Sequence, residues 1–129
     1  MKKYKILIVD DERSLADMTK DSFPQEHFLA RACYSGEQAL KEVDRDRPDL
    51  IVLDVMMPRM DGWEVLAKLK SSPLTSSIPV ILCTARDGLD DVERSFRFGA
   101  QSFIVKPFAF SKLLEKVAVI LEIEKLLND

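Results

Sequence analysis

The chain is predicted to fold as one α/β domain, a five-stranded parallel sheet covered by helices on both faces. Three observations carry that prediction. Lys5-Ile6-Leu7-Ile8-Val9 and Leu50-Ile51-Val52-Leu53 are apolar runs without polar alternation, the pattern of strands buried on both faces. Both runs end on acid, at Asp10-Asp11 and at Asp54. Between such runs, apolar residues recur at helical spacing, so strand and helix alternate along the chain without internal repeats or a flexible linker.

The elements follow in order. After the first strand, a helix is expected from Arg13 to about Gln25, with Leu15, Met18 and Ser22 at helical spacing and Pro24 marking its end. Leu29 to Cys33 reads as a short second strand. Ser35-Gly36-Glu37-Gln38 has the form of a capping box, and its helix shows Ala39, Leu40 and Val43 on one side. Pro48 closes the connection into the third strand. Asp61 and Glu64 form a similar start signal for a helix with Val65, Leu66 and Leu69, stopped by Ser71-Ser72-Pro73. Pro79 to Cys83 is the fourth strand, ending at Thr84. Asp87 or Asp90 caps a fourth helix containing Val92 and Phe96, which Gly99 terminates. Ser102 to Val105 is the fifth strand and runs into Lys106-Pro107. The last helix, about 110–129, carries Leu113, Leu114, Val117, Ile120 and Leu121. Ile123, Leu126 and Leu127 extend its apolar character, either to pack on the same domain or to form a dimer contact or the start of a linker.

At 129 residues the chain is expected to be a single domain, 1–129. No apolar run is long enough to span a bilayer, and the start breaks at Asp10-Asp11 too soon for a signal peptide, so a cytoplasmic protein is expected. A formal net charge of −3 argues against direct nucleic-acid binding by this domain, which needs a basic face, and favours protein partners. Cys33 and Cys83 lack metal-ligand spacing and read as buried thiols. The single histidine, His27, lies in a loop and reads as a surface residue; Trp63 reads as a packing residue.

Parallel strands finish on one side of a sheet, and ligands of open α/β sheets bind there. Asp10, Asp11, Asp54, Thr84 and Lys106 all fall at those ends. Carboxylates gathered in one crevice repel one another unless a cation offsets them. Magnesium suits an open site of one or two carboxylates completed by water and phosphate oxygens.

These residues resemble the receiver domain of bacterial two-component response regulators over essentially the whole chain. Asp10-Asp11 is similar to that family's acidic pair, and Asp54-Val55-Met56-Met57-Pro58-Arg59-Met60-Asp61-Gly62 to its phosphoacceptor segment. Thr84-Ala85 is similar to its switch hydroxyl and Lys106-Pro107-Phe108 to its lysine; Gly99-Ala100 and Phe103 fit the segment before it. The resemblance implies a flavodoxin-like (βα)5 sandwich with strand order 2-1-3-4-5. It implies phosphotransfer to Asp54 from a sensor histidine kinase or phosphotransfer protein. Mg2+ would sit on Asp11, Asp54 and the backbone carbonyl of Met56, with Asp10 acting through water. Lys106 would pair with Asp54, Pro107 would follow a cis bond, and Thr84 and Phe103 would carry the switch to an output domain, a downstream protein or a homodimer partner. Phe103 stands where the family often has tyrosine. Gln101 and Ser102 stand where the subgroup with winged-helix outputs often has acids, which weakens the expectation of that subgroup's dimer.

Met56 and Arg86 flank the expected phosphoryl site and are expected to tune its lifetime. A hydrolase with Asp54 as nucleophile is disfavoured, because it needs a second carboxylate where Met56 stands. A degenerate receiver that binds partners without phosphorylation would lack an acid or the lysine, and here all are present.

Overall fold

The structure, a computed structural model, describes residues 2–85 and 89–127, and of Leu89 only the backbone. Arg86 and Asp87, named above, lie outside the described residues. The strands are β1 (Tyr4–Val9), β2 (Phe28–Cys33), β3 (Leu50–Asp54), β4 (Val80–Thr84) and β5 (Ser102–Val105). The helices are α1 (Arg13–Ser22), α2 (Gly36–Arg45), α3 (Gly62–Ser71), α4 (Leu89–Arg97), α5 (Phe110–Leu121) and the short α6 (Glu124–Leu127). All strands run parallel in the order β2-β1-β3-β4-β5, as expected.

Successive side chains of a strand point to opposite faces, so a strand covered on both sides must be apolar throughout. Leu7, Val9, Ile51, Leu53, Val80 and Leu82 meet Ala39 and Val43 of α2 and Val65, Leu66 and Leu69 of α3. Ile6, Ile8, Leu50, Val52, Ile81, Cys83 and Ile104 face the other way, onto Ala16 of α1 and Leu113, Val117 and Ala118 of α5. Each such side chain contributes roughly 1.5–3 kcal/mol by leaving water, so the two layers jointly hold the strand ends in place.

The start signals act locally as expected. Ser35 accepts from the amide of Gln38 at 3.1 Å, and the Gln38 side chain reaches back to the amide of Tyr34 at 2.8 Å, one residue before the cap. Asp61 accepts from the amide of Glu64 at 3.0 Å and starts α3. Gly99 ends α4 with φ +95°, a left-handed position that glycine adopts without strain.

Three expectations need correction. α1 ends at Ser22 rather than near Gln25, because Phe23 is extended and turns into the core at 3% exposure. Its buried residues are Ala16 and Thr19, while Met18 is 62% exposed; small side chains face the sheet because the helix lies close to it. The last helix is not continuous: Glu122 adopts φ 59°, ψ 45°, the amide of Ile123 bonds back to the Ala118 carbonyl at 2.9 Å, and α6 follows. The break turns Ile123 into the core at 6% exposure, with Leu126 and Leu127 packed against the same layer.

Candidate functional site

β1 and β3 are neighbours in register, Val9 beside Leu53, so Asp10 just past one strand and Asp54 at the end of the other lie side by side. Both are 5% exposed, whereas Asp11 is open to solvent. Asp10, Asp11 and Asp54 each offer an oxygen, and these oxygens lie within 4.8 Å of one another. Lys106 arrives from the end of β5. Its Nζ donates to Asp10 Oδ2 at 2.7 Å and lies 3.2 Å from Asp54 Oδ1, so the ammonium bridges the two buried carboxylates. The expected partner was Asp54, and the shorter contact is to Asp10. The other Asp10 oxygen accepts from the amide of Glu12 at 3.0 Å.

The backbone of Lys106 is fixed as well. Its amide donates to the Thr84 carbonyl at 2.7 Å, and the Lys106–Pro107 bond is cis, as expected. Thr84 is 8% exposed and lies one residue past Cys83, the residue paired with Asp54. Met56 projects outward at 72% exposure while its amide donates to the Asp54 carboxylate. Phe103 is half-buried, between the Phe96 ring (6.2 Å, interplanar 83°) and Lys116 Nζ at 5.9 Å. Trp63 is a packing residue, 8% exposed and edge-on to Phe98. His27 is half-buried in its turn, and its carbonyl accepts from the Tyr4 amide.

The electrostatics of the site are set by burial and by the balance of carboxylates against one ammonium. Burial first, and the charge of Asp10 second, push Asp54 up to about 6, against the opposing pull of Lys106 and the Met56 amide. Burial works to lower the Lys106 pKa, but its hydrogen bond to Asp10 and the two carboxylate charges outweigh it and raise it above the ordinary lysine range. One ammonium thus faces three carboxylates. An all-oxygen donor set with surplus negative charge and one solvent-open member fits a hard divalent cation such as Mg2+.

Gly62 was quoted within the acidic segment without a role, and the structure gives it one. Its amide donates to the Val55 carbonyl at 2.9 Å, and a Cβ would run into the Asp54 carbonyl oxygen and lie 2.7 Å from Val55 Cα. Glycine is therefore what lets α3 start directly against the strand that carries Asp54. Its signal in the sequence was Asp61-Gly62, a cap followed by a residue without a side chain. Gln101 also has a structural role that the sequence reading did not assign: its side-chain oxygen accepts from the Val80 amide at 2.9 Å and closes the start of the β4–β5 pair.

A family model described as the response regulator receiver domain matches residues 6–118. The chain belongs to the response regulator receiver domain family. It is 36% identical over 125 residues to the response regulator MprA of Mycobacterium ulcerans, covering 97% of this chain and 53% of that protein. It is 38% identical over 117 residues to MprA of Mycobacterium leprae, covering 91% and 50%. The chain thus spans about half the length of these curated relatives. Among solved structures, the chemotaxis response regulator CheY4 of Vibrio cholerae superposes with a TM-score of 0.86 at 25% identity, covering 92% of this chain and 99% of that one. The signal receiver domain of a signal transduction histidine kinase from Syntrophus aciditrophicus gives 0.83 at 36% identity, covering 92% and 90%. This receiver domain has the flavodoxin-like fold of those neighbours. None of its described helices is long and apolar enough to cross a membrane.

Proposed function

We propose that this receiver domain is a phosphorylation-dependent switch. It takes a phosphoryl group onto Asp54 from a phosphohistidine of a sensor histidine kinase or phosphotransfer protein and passes the change to an output domain or downstream protein. The observation that carries this reading is the Lys106 ammonium bridging Asp10 and Asp54 beneath a solvent-open carboxylate, Asp11. That arrangement keeps one buried carboxylate oriented and places a cation beside it for an incoming anion.

In the proposed step an Asp54 oxygen attacks phosphorus, the P–N bond to imidazole breaks, and its electron pair returns to the ring nitrogen, leaving an acyl phosphate on Asp54. Asp11, Asp54 and the Met56 backbone carbonyl would hold Mg2+, with Asp10 reaching it through water. Both Asp10 oxygens already take protein donors, which supports the indirect role. When bound, the metal offsets the carboxylate charge and stabilises charge on the phosphoryl oxygens. Lys106 keeps Asp10 and turns its second contact from Asp54 to a phosphoryl oxygen. Thr84 donates its hydroxyl to another, and Phe103 moves from half-buried to buried, which remodels the face of α4, β5 and α5. Met56 and Arg86 set the lifetime of the acyl phosphate by shaping water access. The domain acts through protein contacts, with a second copy of itself one alternative to an output domain or downstream protein, rather than through nucleic acid or membrane, and its work is cytoplasmic.

The test is intact mass after incubation with acetyl phosphate and Mg2+, beside Asp54→Ala and a chelated control. One added phosphoryl group in the native chain alone is the expected result. No gain with either acetyl phosphate or a phosphohistidine donor overturns the reading and favours an interaction module independent of phosphorylation.

A further inference from the structure

We propose that α4 is hinged at its last turn by a clamp in which Arg94 lies over Trp63 and Phe98, so that phosphorylation moves the first turns of α4 and leaves the last turn seated. The inference rests on the switch reading above and adds a fixed point to it.

The starting observation is how little holds α4. Among its described side chains only Ser95 is buried, and the Ser95 hydroxyl donates at 2.6 Å to the Val92 carbonyl of the same helix, so it ties α4 to nothing else. With no buried apolar side chain among those described, α4 depends on its few described side-chain contacts for its seat. Two aromatic contacts provide it. Phe96 meets Phe103 of β5 edge-on, with Phe96 more than half exposed. Phe98 meets Trp63 of α3 at 5.7 Å and 70°, and the Arg94 guanidinium lies 4.3 Å from the Trp63 centroid and 5.5 Å from that of Phe98.

The two contacts are not equivalent. Trp63 is 8% exposed and belongs to the main core layer, against which Phe98 also packs. Its chain neighbour Gly62 lies directly on the backbone of Asp54 and Val55, so the seat of the clamp is braced on the strand bearing Asp54. The backbone after the clamp is locked too, by Ala100 donating to the Ser95 carbonyl at 2.9 Å and Gly99 to that of Phe96 at 3.0 Å. The Phe96 contact, by contrast, ends on Phe103, which the switch reading requires to move. The other end of α4 follows Thr84 by a short connection, so displacement of Thr84 acts on the first turn while the last turn is pinned. The helix then pivots.

Residue-resolved amide hydrogen exchange by NMR tests this on the whole chain with Mg2+, with and without beryllium trifluoride as a phosphoryl mimic. The first helical N–H groups have no partner in the helix, so the first turns are read at the amides of 93–95, and the last turn at Phe98, Gly99 and Ala100, which bond the carbonyls of Arg94, Phe96 and Ser95. In the native chain the mimic should change exchange at 93–95 and leave 98–100 as they were. In Arg94→Gln, exchange at 98–100 should already rise about two- to five-fold without the mimic, the size expected from losing an exposed cation–π contact. The mimic should then perturb the whole helix, and Arg94→Lys, which keeps the charge but not the planar stack, should lie between the two. Equal perturbation of 93–95 and 98–100 in the native chain, or no effect of Arg94→Gln, overturns the hinge. A mimic that shifts no amide around Asp54 sinks the switch reading and the hinge with it, whereas one that binds but moves 98–100 sinks the hinge alone.

Discussion

Replacing Asp54 by Asn should stabilise the metal-free domain at neutral pH, although it removes one of the contacts of Lys106. The reasoning starts from the carboxyl pKa, raised by burial and then by Asp10 from 3.8 to about 6. The folded state therefore binds this proton more tightly than the unfolded chain. Between about pH 4 and 6 the unfolded chain loses the proton first, so stability falls as pH rises through that window and stays low above it. At 1.36 kcal/mol per pKa unit, the shift corresponds to about 3 kcal/mol lost by pH 7. Asn keeps the shape without the charge, and Lys106 retains Asp10 at 2.7 Å, so the net gain should be about 2 kcal/mol. For a domain of this size that is a rise in Tm of roughly 6–10 °C. The assay is thermal unfolding in chelator from pH 4 to 8 for both chains. The difference should be near zero at pH 4 and reach its plateau by about pH 7. Added Mg2+ should then raise the native chain alone, by about 2.7 kcal/mol at a hundred-fold excess over Kd. An Asn variant less stable than the native chain at pH 7.5 in chelator, or a gain independent of pH, would refute the account of Asp54 as a strained buried charge.

Two further outcomes test the scaffold around the site. Gly62→Ala should destabilise the fold by about 3 kcal/mol or more in denaturant titration, because the new Cβ meets backbone of Asp54 and Val55 that no rotamer change can move; the roughly 1 kcal/mol gained in helix propensity is too small to compensate. A variant of native stability would show that α3 can shift away from the strand. Cys33 and Cys83, each pushed up to about 12 chiefly by burial, should resist a disulfide reagent at pH 8 until the chain is unfolded. Their contribution to stability is whole below pH 9 and is lost as pH rises from about 9 to 12, where the unfolded chain releases thiol protons that the fold retains. Rapid labelling of the native protein would contradict their burial.

The strands were legible because a doubly covered sheet imposes a demand that few residues can meet. Ile6-Leu7-Ile8-Val9 and Leu50-Ile51-Val52-Leu53 feed both core layers alternately, so every position had to be apolar. The caps at Ser35 and Asp61 were legible because each is a local bond between residues three apart. What escaped is settled by contacts remote in sequence. Nothing near Glu122 announces a break, since neither glycine nor asparagine stands there, and it is the burial of Ile123 against α5 that turns the chain. Met18 looked like core because it is large and apolar, yet the sheet admits Ala16 and Thr19, whose small size lets α1 approach.

The acidic cluster shows the same division inside one site. Which residues gather there followed from strand ends and resemblance, because parallel strands deliver their last residues to one edge. How they share charge did not follow. Lys106 was expected to pair with Asp54 and does, but the ammonium lies closer to Asp10 and spans both carboxylates. That difference bears on the proposed mechanism: a lysine held by Asp10 need not leave its seat when Asp54 is modified, but only exchanges one carboxylate oxygen for a phosphoryl oxygen. With Asp10 holding the cation, Gly62 holding α3 against the strand and Thr84 accepting the Lys106 amide, the parts around Asp54 that must stay still are distinct from those that must move. The parts that the proposed switch would move, the Thr84 hydroxyl, Phe103 and the first turns of α4, belong to β4, β5 and the helix between them, and that one-sidedness is what makes a signal to a single face mechanically reasonable.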